Sequence, residues 1–123
     1  MSLFWKREQA NVTRRQSLAA TPVLSERVRA EATDGGGLVL HVRIPRGAGL
    51  LDRFRPRVDE RRYELDEFGA AVVRRIDNRR KVSEIVEAFH HEFGLSRRES
   101  ELGVVAFLKM LMKRGLIGIE IHG

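Results

Sequence analysis

The side chains of this chain that could do chemistry are four histidines and seventeen acids, with no cysteine. His90 and His91 are adjacent, so on a helix they point about 100° apart and do not face one metal together. His91-Glu92-Phe93-Gly94-Leu95 lacks the second histidine of a zinc-protease helix motif. His41 stands within an apolar run, and His122 is the penultimate residue. Without cysteine there is no disulfide framework, thiolate zinc site or Cys nucleophile. Asp66 and Glu67 suit the positive end of a helix dipole, and Glu84, Glu87 and Glu92 fall on solvated helical positions. Asp34-Gly35-Gly36-Gly37 is followed by strand-like residues rather than by Lys-Ser/Thr and a helix, so it reads as a hairpin turn, not a phosphate loop. No nucleophile has an identifiable base. The expectation is a non-enzyme with no catalytic residues, no metal and no cofactor.

Recognition is the remaining chemistry, and charge is its first indicator. The chain has 123 residues with 23 Lys and Arg against 17 Asp and Glu, a formal charge of +6. Up to Arg62 there are 13 basic and 7 acidic residues, and from Tyr63 onward 10 of each, so the whole excess lies in the first half. The length suits a single domain burying roughly two-thirds of its unfolded surface. Apolar runs such as Leu38-Val39-Leu40 are too short for a membrane span or a signal-peptide core, which gives a cytoplasmic expectation.

The elements that must position these residues follow from periodicity. Residues 1–22 read as a basic, irregular, flexible arm in which Phe4 and Trp5 are the only large aromatics, and residues 23–123 as the folded domain. Val28, Ala30 and Ala32 alternate with charged residues; the glycine turn and Leu38 to Ile44 complete a β-hairpin that Pro45 ends. Arg46 to Glu60 is a loop pinned by Leu50, Leu51 and Phe54, and Arg61 to Leu65 is a third strand with Tyr63 and Leu65 on one face.

Three helical patterns come next. The first starts at an Asp66 N-cap, carries Phe68, Val72, Val73 and Ile76, and closes at a left-handed Asn78. The second carries Val82, Ile85, Val86, Phe89 and Phe93 and ends at Gly94; the third opens with the Ser96–Glu99 capping box and ends at Gly115. Leu116 to Ile121 is a short strand or wing. The fold class is α+β: an N-terminal three-stranded antiparallel sheet, then a three-helix winged helix-turn-helix.

The third helix carries the functional signal. Val104, Leu108 and Leu111 form one stripe, with Val105 and Met112 at its border. Gly103, Phe107 and Met110 lie on the adjoining face beside Arg114, widening the apolar sector to about 220° against the roughly 100° of an ordinary surface helix. Either Phe107 and Met110 pack beneath the sheet or the Arg46–Glu60 loop, or part of this face lines a peptide groove. Arg97, Arg98, Lys109, Lys113 and Arg114 also admit a winged-helix DNA-binding regulator as the alternative. The neutral helical half and apolar helix centre disfavour nucleic acid.

From Tyr63 to Ile117 the ordered residues resemble the PqqD-like family, peptide chaperones of pyrroloquinoline quinone biosynthesis and relatives. The resemblance rests on Leu65-Asp66 with Gly69, Asp77, Val82-Ser83-Glu84-Ile85-Val86, Phe107-Leu108, Leu111 and Arg114-Gly115-Leu116-Ile117. The upstream Thr21 to Pro45 segment also fits the family's hairpin. Asn78, where the family often has Gly, and Lys81, in place of a Thr or Ser cap, depart from the pattern. The resemblance implies a precursor-peptide recognition element whose leader peptide adds as a strand to the third strand and packs on the third helix. A modifying enzyme, typically a radical S-adenosylmethionine enzyme, would then act on the peptide. On this reading the site comprises Arg62, Tyr63, Glu64 and Leu65 at the edge and Val104, Phe107, Met110, Leu111 and Arg114 on the helix. The expected partners are a leader peptide and its modifying enzyme, with no membrane and a homodimer as an option.

Overall fold

The computed structural model describes residues 2–4, 13–43 and 60–122. Among the described residues, six strands and four α-helices make an α+β fold in the order β1 (Ser2–Phe4), α1 (Arg14–Ala19), β2 (Thr21–Leu24), β3 (Val28–Ala32), β4 (Leu38–Arg43), β5 (Glu60–Leu65), α2 (Glu67–Arg74), α3 (Val82–Phe93), α4 (Arg97–Lys113) and β6 (Ile117–Ile121). They form two three-stranded antiparallel sheets, β3-β4-β5 and β1-β6-β2.

The first sheet is the expected one. Its hairpin turns at Asp34–Gly36, where Gly35 and Gly36 have φ of 82° and 85°, backbone that a side chain resists. Leu38 pairs with Leu65 and Leu40 with Tyr63, so these residues share the face that packs on the helices. The expected 46–60 loop lies outside the described residues apart from Glu60, which begins β5.

The second sheet corrects the sequence reading twice. The C-terminal strand is no free wing: β6 is the central strand, paired on both sides. Residues 1–22 are also not elementless, since α1 forms within them. Thr13 and Gln16 make a reciprocal capping box, the Thr13 hydroxyl accepting from the Gln16 amide at 3.1 Å and the Gln16 carbonyl accepting from the Thr13 amide at 3.0 Å. Arg14 then reaches α4 and donates to Glu101 at 2.6 and 2.7 Å, which holds the Glu101 carboxyl below its ordinary value of 4.5.

The outer edge of β2 is closed by the helical half. Ser25 N–H donates to the Leu116 carbonyl, so in the alternating ladder Ala20, Pro22 and Leu24 turn their backbone groups away from β6. The Ala20 carbonyl accepts from Val82 N–H at 2.8 Å. Pro22 has no N–H to leave unpaired. Leu24 N–H donates to Asn78 Oδ1 at 3.1 Å. Helix α3 benefits in return: Lys81 has no side-chain acceptor to cap it, yet its first amide is satisfied by Ala20 and the Lys81 amide by Glu84 Oε1.

The helices terminate and cap as their sequences dictate. Asp66 Oδ1 accepts from Gly69 N–H, and Ser96 and Glu99 make their capping box at 3.0 and 3.1 Å. Gly94 and Gly115 adopt φ of 64° and 73° after α3 and α4. Helix α2 stops at Arg74, earlier than expected, and the left-handed Asn78 (φ 64°) sits in the following turn. The core joins Leu38 and Leu40 of the sheet to Val72, Ile85, Val104, Leu108 and Leu111 of the helices and to Leu116 and Ile117. Fully buried Ser100 escapes an unsatisfied hydroxyl by donating to the Val86 carbonyl at 2.6 Å, tying α4 to α3.

Candidate functional site

The open edge of β5 is the feature that contrasts with the closed edge of β2. Arg43 N–H donates to the Arg27 carbonyl, so odd-numbered residues of β4 face β3 and even-numbered ones face β5. It follows that Arg61, Tyr63 and Leu65 turn their backbone groups to β4, whereas Glu60, Arg62 and Glu64 turn theirs outward. Among the described residues, nothing pairs with that outward row. The other edge of this sheet, β3, is shorter in free groups, because Val28 N–H is taken by the Ser25 carbonyl.

Beside the open edge lies a groove of about 680 Å³ lined by Arg61 and Tyr63 of β5 and by Lys109, Met110, Lys113 and Arg114 at the end of α4. The Arg114 guanidinium sits 5.2 Å from the Tyr63 ring centroid, a cation–π contact that links the helix end to the strand. Tyr63 and Met110 are half-buried and pack against the core, so the floor is apolar and the rim cationic.

The wall behind this groove depends on one glycine. A Cβ at Gly69 would stand 2.9 Å from Phe107 Cζ and 3.3 Å from Leu65 Cβ, so α2 reaches β5 and α4 only because that position has no side chain. Phe107 is therefore half-buried between helices rather than free in the groove. Val104 and Leu111 are completely buried in the core and do not reach the lining. Of the nine residues read from the sequence, the groove brings together Tyr63, Met110 and Arg114; Arg62 and Glu64 supply outward backbone, and Leu65 packs behind. Sequence reasoning did not assign Arg61, Lys109 and Lys113 to this site. Their signal was available: Arg61 precedes Tyr63 by two on a strand, Lys113 follows Met110 by three on a helix, and Lys109 precedes Lys113 by four.

Elsewhere the histidines contact acids, a carbonyl or, for His122, the Thr21 hydroxyl. His41 lies between Glu31 and Glu60, 2.9 and 2.8 Å from its two ring nitrogens, on the outer face of the first sheet. Glu87, His90 and His91 bring their donor atoms within 4.8 Å of one another, closer than the sequence offset suggests, because both rings lean towards one turn of α3. Arg97 already occupies both oxygens of Glu87 at 3.0 and 3.1 Å and lowers that carboxyl's pKa, and the Leu95 carbonyl engages His90 Nδ1. The carboxylate of that trio is therefore matched to a guanidinium. None of the helices among the described residues is long and apolar enough to cross a membrane.

A second cavity, of about 430 Å³, lies on the adjoining flank of α4, between α1 and the helix, with Leu18, Leu102, Val105 and Met112 in its walls. Leu102 is 58% exposed there.

Comparison with known proteins gives two matches. Residues 57–117 match the family described as Coenzyme PQQ synthesis protein D (PqqD). The fold is similar to the solved structure of "TbiB1 in Complex with the TbiA(beta) Leader Peptide", with a TM-score of 0.59 and 20% identity over 77% of this chain and 93% of that one. No curated protein matches the chain.

Proposed function

Since the chain belongs to the PqqD-like family, we propose that it is a non-catalytic peptide chaperone, binding the leader of a ribosomally made precursor peptide and presenting it to a modifying enzyme. The leader adds as a strand to the outward backbone of Glu60, Arg62 and Glu64, and its side chains on the inner face enter the groove between β5 and α4. Helices α2 to α4 serve as the helix-turn-helix on which that groove is built, with β6 held in the second sheet in place of a projecting wing. The partner is a radical S-adenosylmethionine enzyme of the sort the family resemblance implies.

The observation that carries this reading is the coincidence of an unpaired sheet edge with an adjoining apolar-floored groove. The fold neighbour TbiB1, solved with a leader peptide, supports it. Energetics assign the groove a definite share. Each backbone hydrogen bond nets about 1 kcal/mol, so those along one short edge roughly offset an association cost of about 4 kcal/mol or more. Affinity then comes from side chains seated on Tyr63 and Met110.

The direct experiment is calorimetric titration of a peptide selected on the protein from a display library into the protein and into Met110→Asp. Met110 is half-buried at the groove floor, and placing a carboxylate there removes apolar contact and buries charge, weakening binding at least about tenfold. Unchanged affinity in a variant with native circular dichroism would refute the groove.

A further inference from the structure

Resting on the assignment of the β5–α4 groove to a peptide, we infer that its occupant is an acidic strand carrying a carboxylate and a large apolar side chain two residues apart. Of the six residues lining the groove, Arg61, Lys109, Lys113 and Arg114 are cations, Tyr63 and Met110 give apolar surface, and none is acidic. Several cations elsewhere are matched locally, Arg14 by Glu101, Arg75 by Glu92, Arg80 by Asp77 and Arg97 by Glu87, while others such as Arg15, Arg27 and Arg98 stand singly on the surface. Among the described residues, no ion pair engages the four groove cations. A row of like charges around an apolar floor raises the local potential and selects an anion.

The two-residue spacing follows from strand geometry. A strand laid on the open edge directs alternate side chains towards α4, beside Arg61, Tyr63 and Leu65. One inward position meets Arg61 and the next meets Tyr63 with Met110 across from it. The carboxylate therefore belongs at the first and the apolar group at the second. The intervening residues lie on the outer face with Glu60, Arg62 and Glu64, whose mixed signs impose little preference. Those two glutamates on the edge strand, and the apolar floor, also favour a peptide over a nucleic-acid backbone at this place.

The test selects peptides from a random display library on the full chain. An enriched sequence is then synthesised with its acidic residues as Glu, Gln or Lys, and binding is followed by fluorescence anisotropy. Enrichment of an acid two residues from a large apolar residue is expected, with each Glu→Gln change weakening Kd about two- to fivefold. The difference shrinks between about 0.01 M and about 0.15 M salt, as the Debye length falls from about 30 to about 8 Å. Lys109→Glu/Lys113→Glu, at two exposed positions, should reverse the preference in favour of the Lys peptide. Enriched peptides without acidic bias, or equal affinity of the Glu and Gln forms, overturn the inference and leave the groove standing. Failure to enrich any peptide, enrichment indifferent to Met110→Asp, or displacement of the peptide by duplex DNA overturns the peptide reading and the inference together.

Discussion

Replacing Asn78 separates two energies that this one residue supplies. Its backbone is left-handed, with φ of 64°, and its Oδ1 accepts from Leu24 N–H at 3.1 Å, closing the outer edge of β2. Asn78→Gly keeps the backbone relaxed and loses only the side-chain acceptor, a cost of about 1 kcal/mol. Asn78→Ala loses the same acceptor and keeps a Cβ in left-handed backbone without the short polar side chain that lets Asn settle there, adding about 1 kcal/mol. Asn78→Asp keeps an acceptor and a residue tolerant of that backbone, and should remain within about 0.5 kcal/mol of the parent. Unfolding entropy of about 2.1 cal/mol/K per residue over 123 residues makes 1 kcal/mol worth about 4 °C in Tm. Differential scanning calorimetry should therefore rank the parent and Asp highest, Gly about 4 °C lower and Ala about 8 °C lower. Gly at or above the parent would show that the Leu24 bond contributes nothing. Ala equal to Gly would show that the positive φ carries no strain.

Three further outcomes follow from the packing and charge. Leu111→Ala, at a fully buried site under the groove, should cost about 2–5 kcal/mol in urea unfolding with an unchanged m-value. Ser100→Ala removes the donor to the Val86 carbonyl and should cost about 1 kcal/mol in the same assay. Asp77, Glu87, Glu99 and Glu101 all titrate below their ordinary values, each through hydrogen bonds to the charged form. Lowered folded values mean that the stability they confer is present above the unfolded values of 3.8 and 4.5 and is lost as pH falls through the folded ones. Tm should thus fall steadily below about pH 4.5, and Ser96→Ala, which removes the hydroxyl's contribution to the Glu99 carboxylate but leaves the larger backbone N–H one, should flatten the slope only slightly; a Tm indifferent to pH between about 5 and about 3 would contradict those contacts.

The local parts of this architecture were readable because local rules determine them. Asp66, the Ser96–Glu99 box, Gly94 and Gly115 each satisfy or terminate backbone within a few residues, and the structure places each where the pattern does. What pairs across the chain was not readable. The alternation in Ile117 to Ile121 announces a strand but says nothing about its neighbours, and those neighbours are β1 and β2 from the other end. Asn78 looked like a departure from a glycine position; only the fold brings Leu24 to its side chain. Likewise the wide apolar sector of α4 was visible, but periodicity could not divide it. Val104 and Leu111 belong to the core, Phe107 fits the gap above Gly69, and Met110 alone of the four lines the groove.

The central place of β6 also sets an order of assembly. Strands β3, β4 and β5 are consecutive in the chain and pair with sequence neighbours, so they can form as soon as they are synthesised. Strands β1 and β2 have no partner until β6 emerges, almost a whole chain length later. Closing so long a separation is slow compared with local pairing. The first sheet and its helices thus have their partners at hand while β1 and β2 wait for β6, the strand that gathers them.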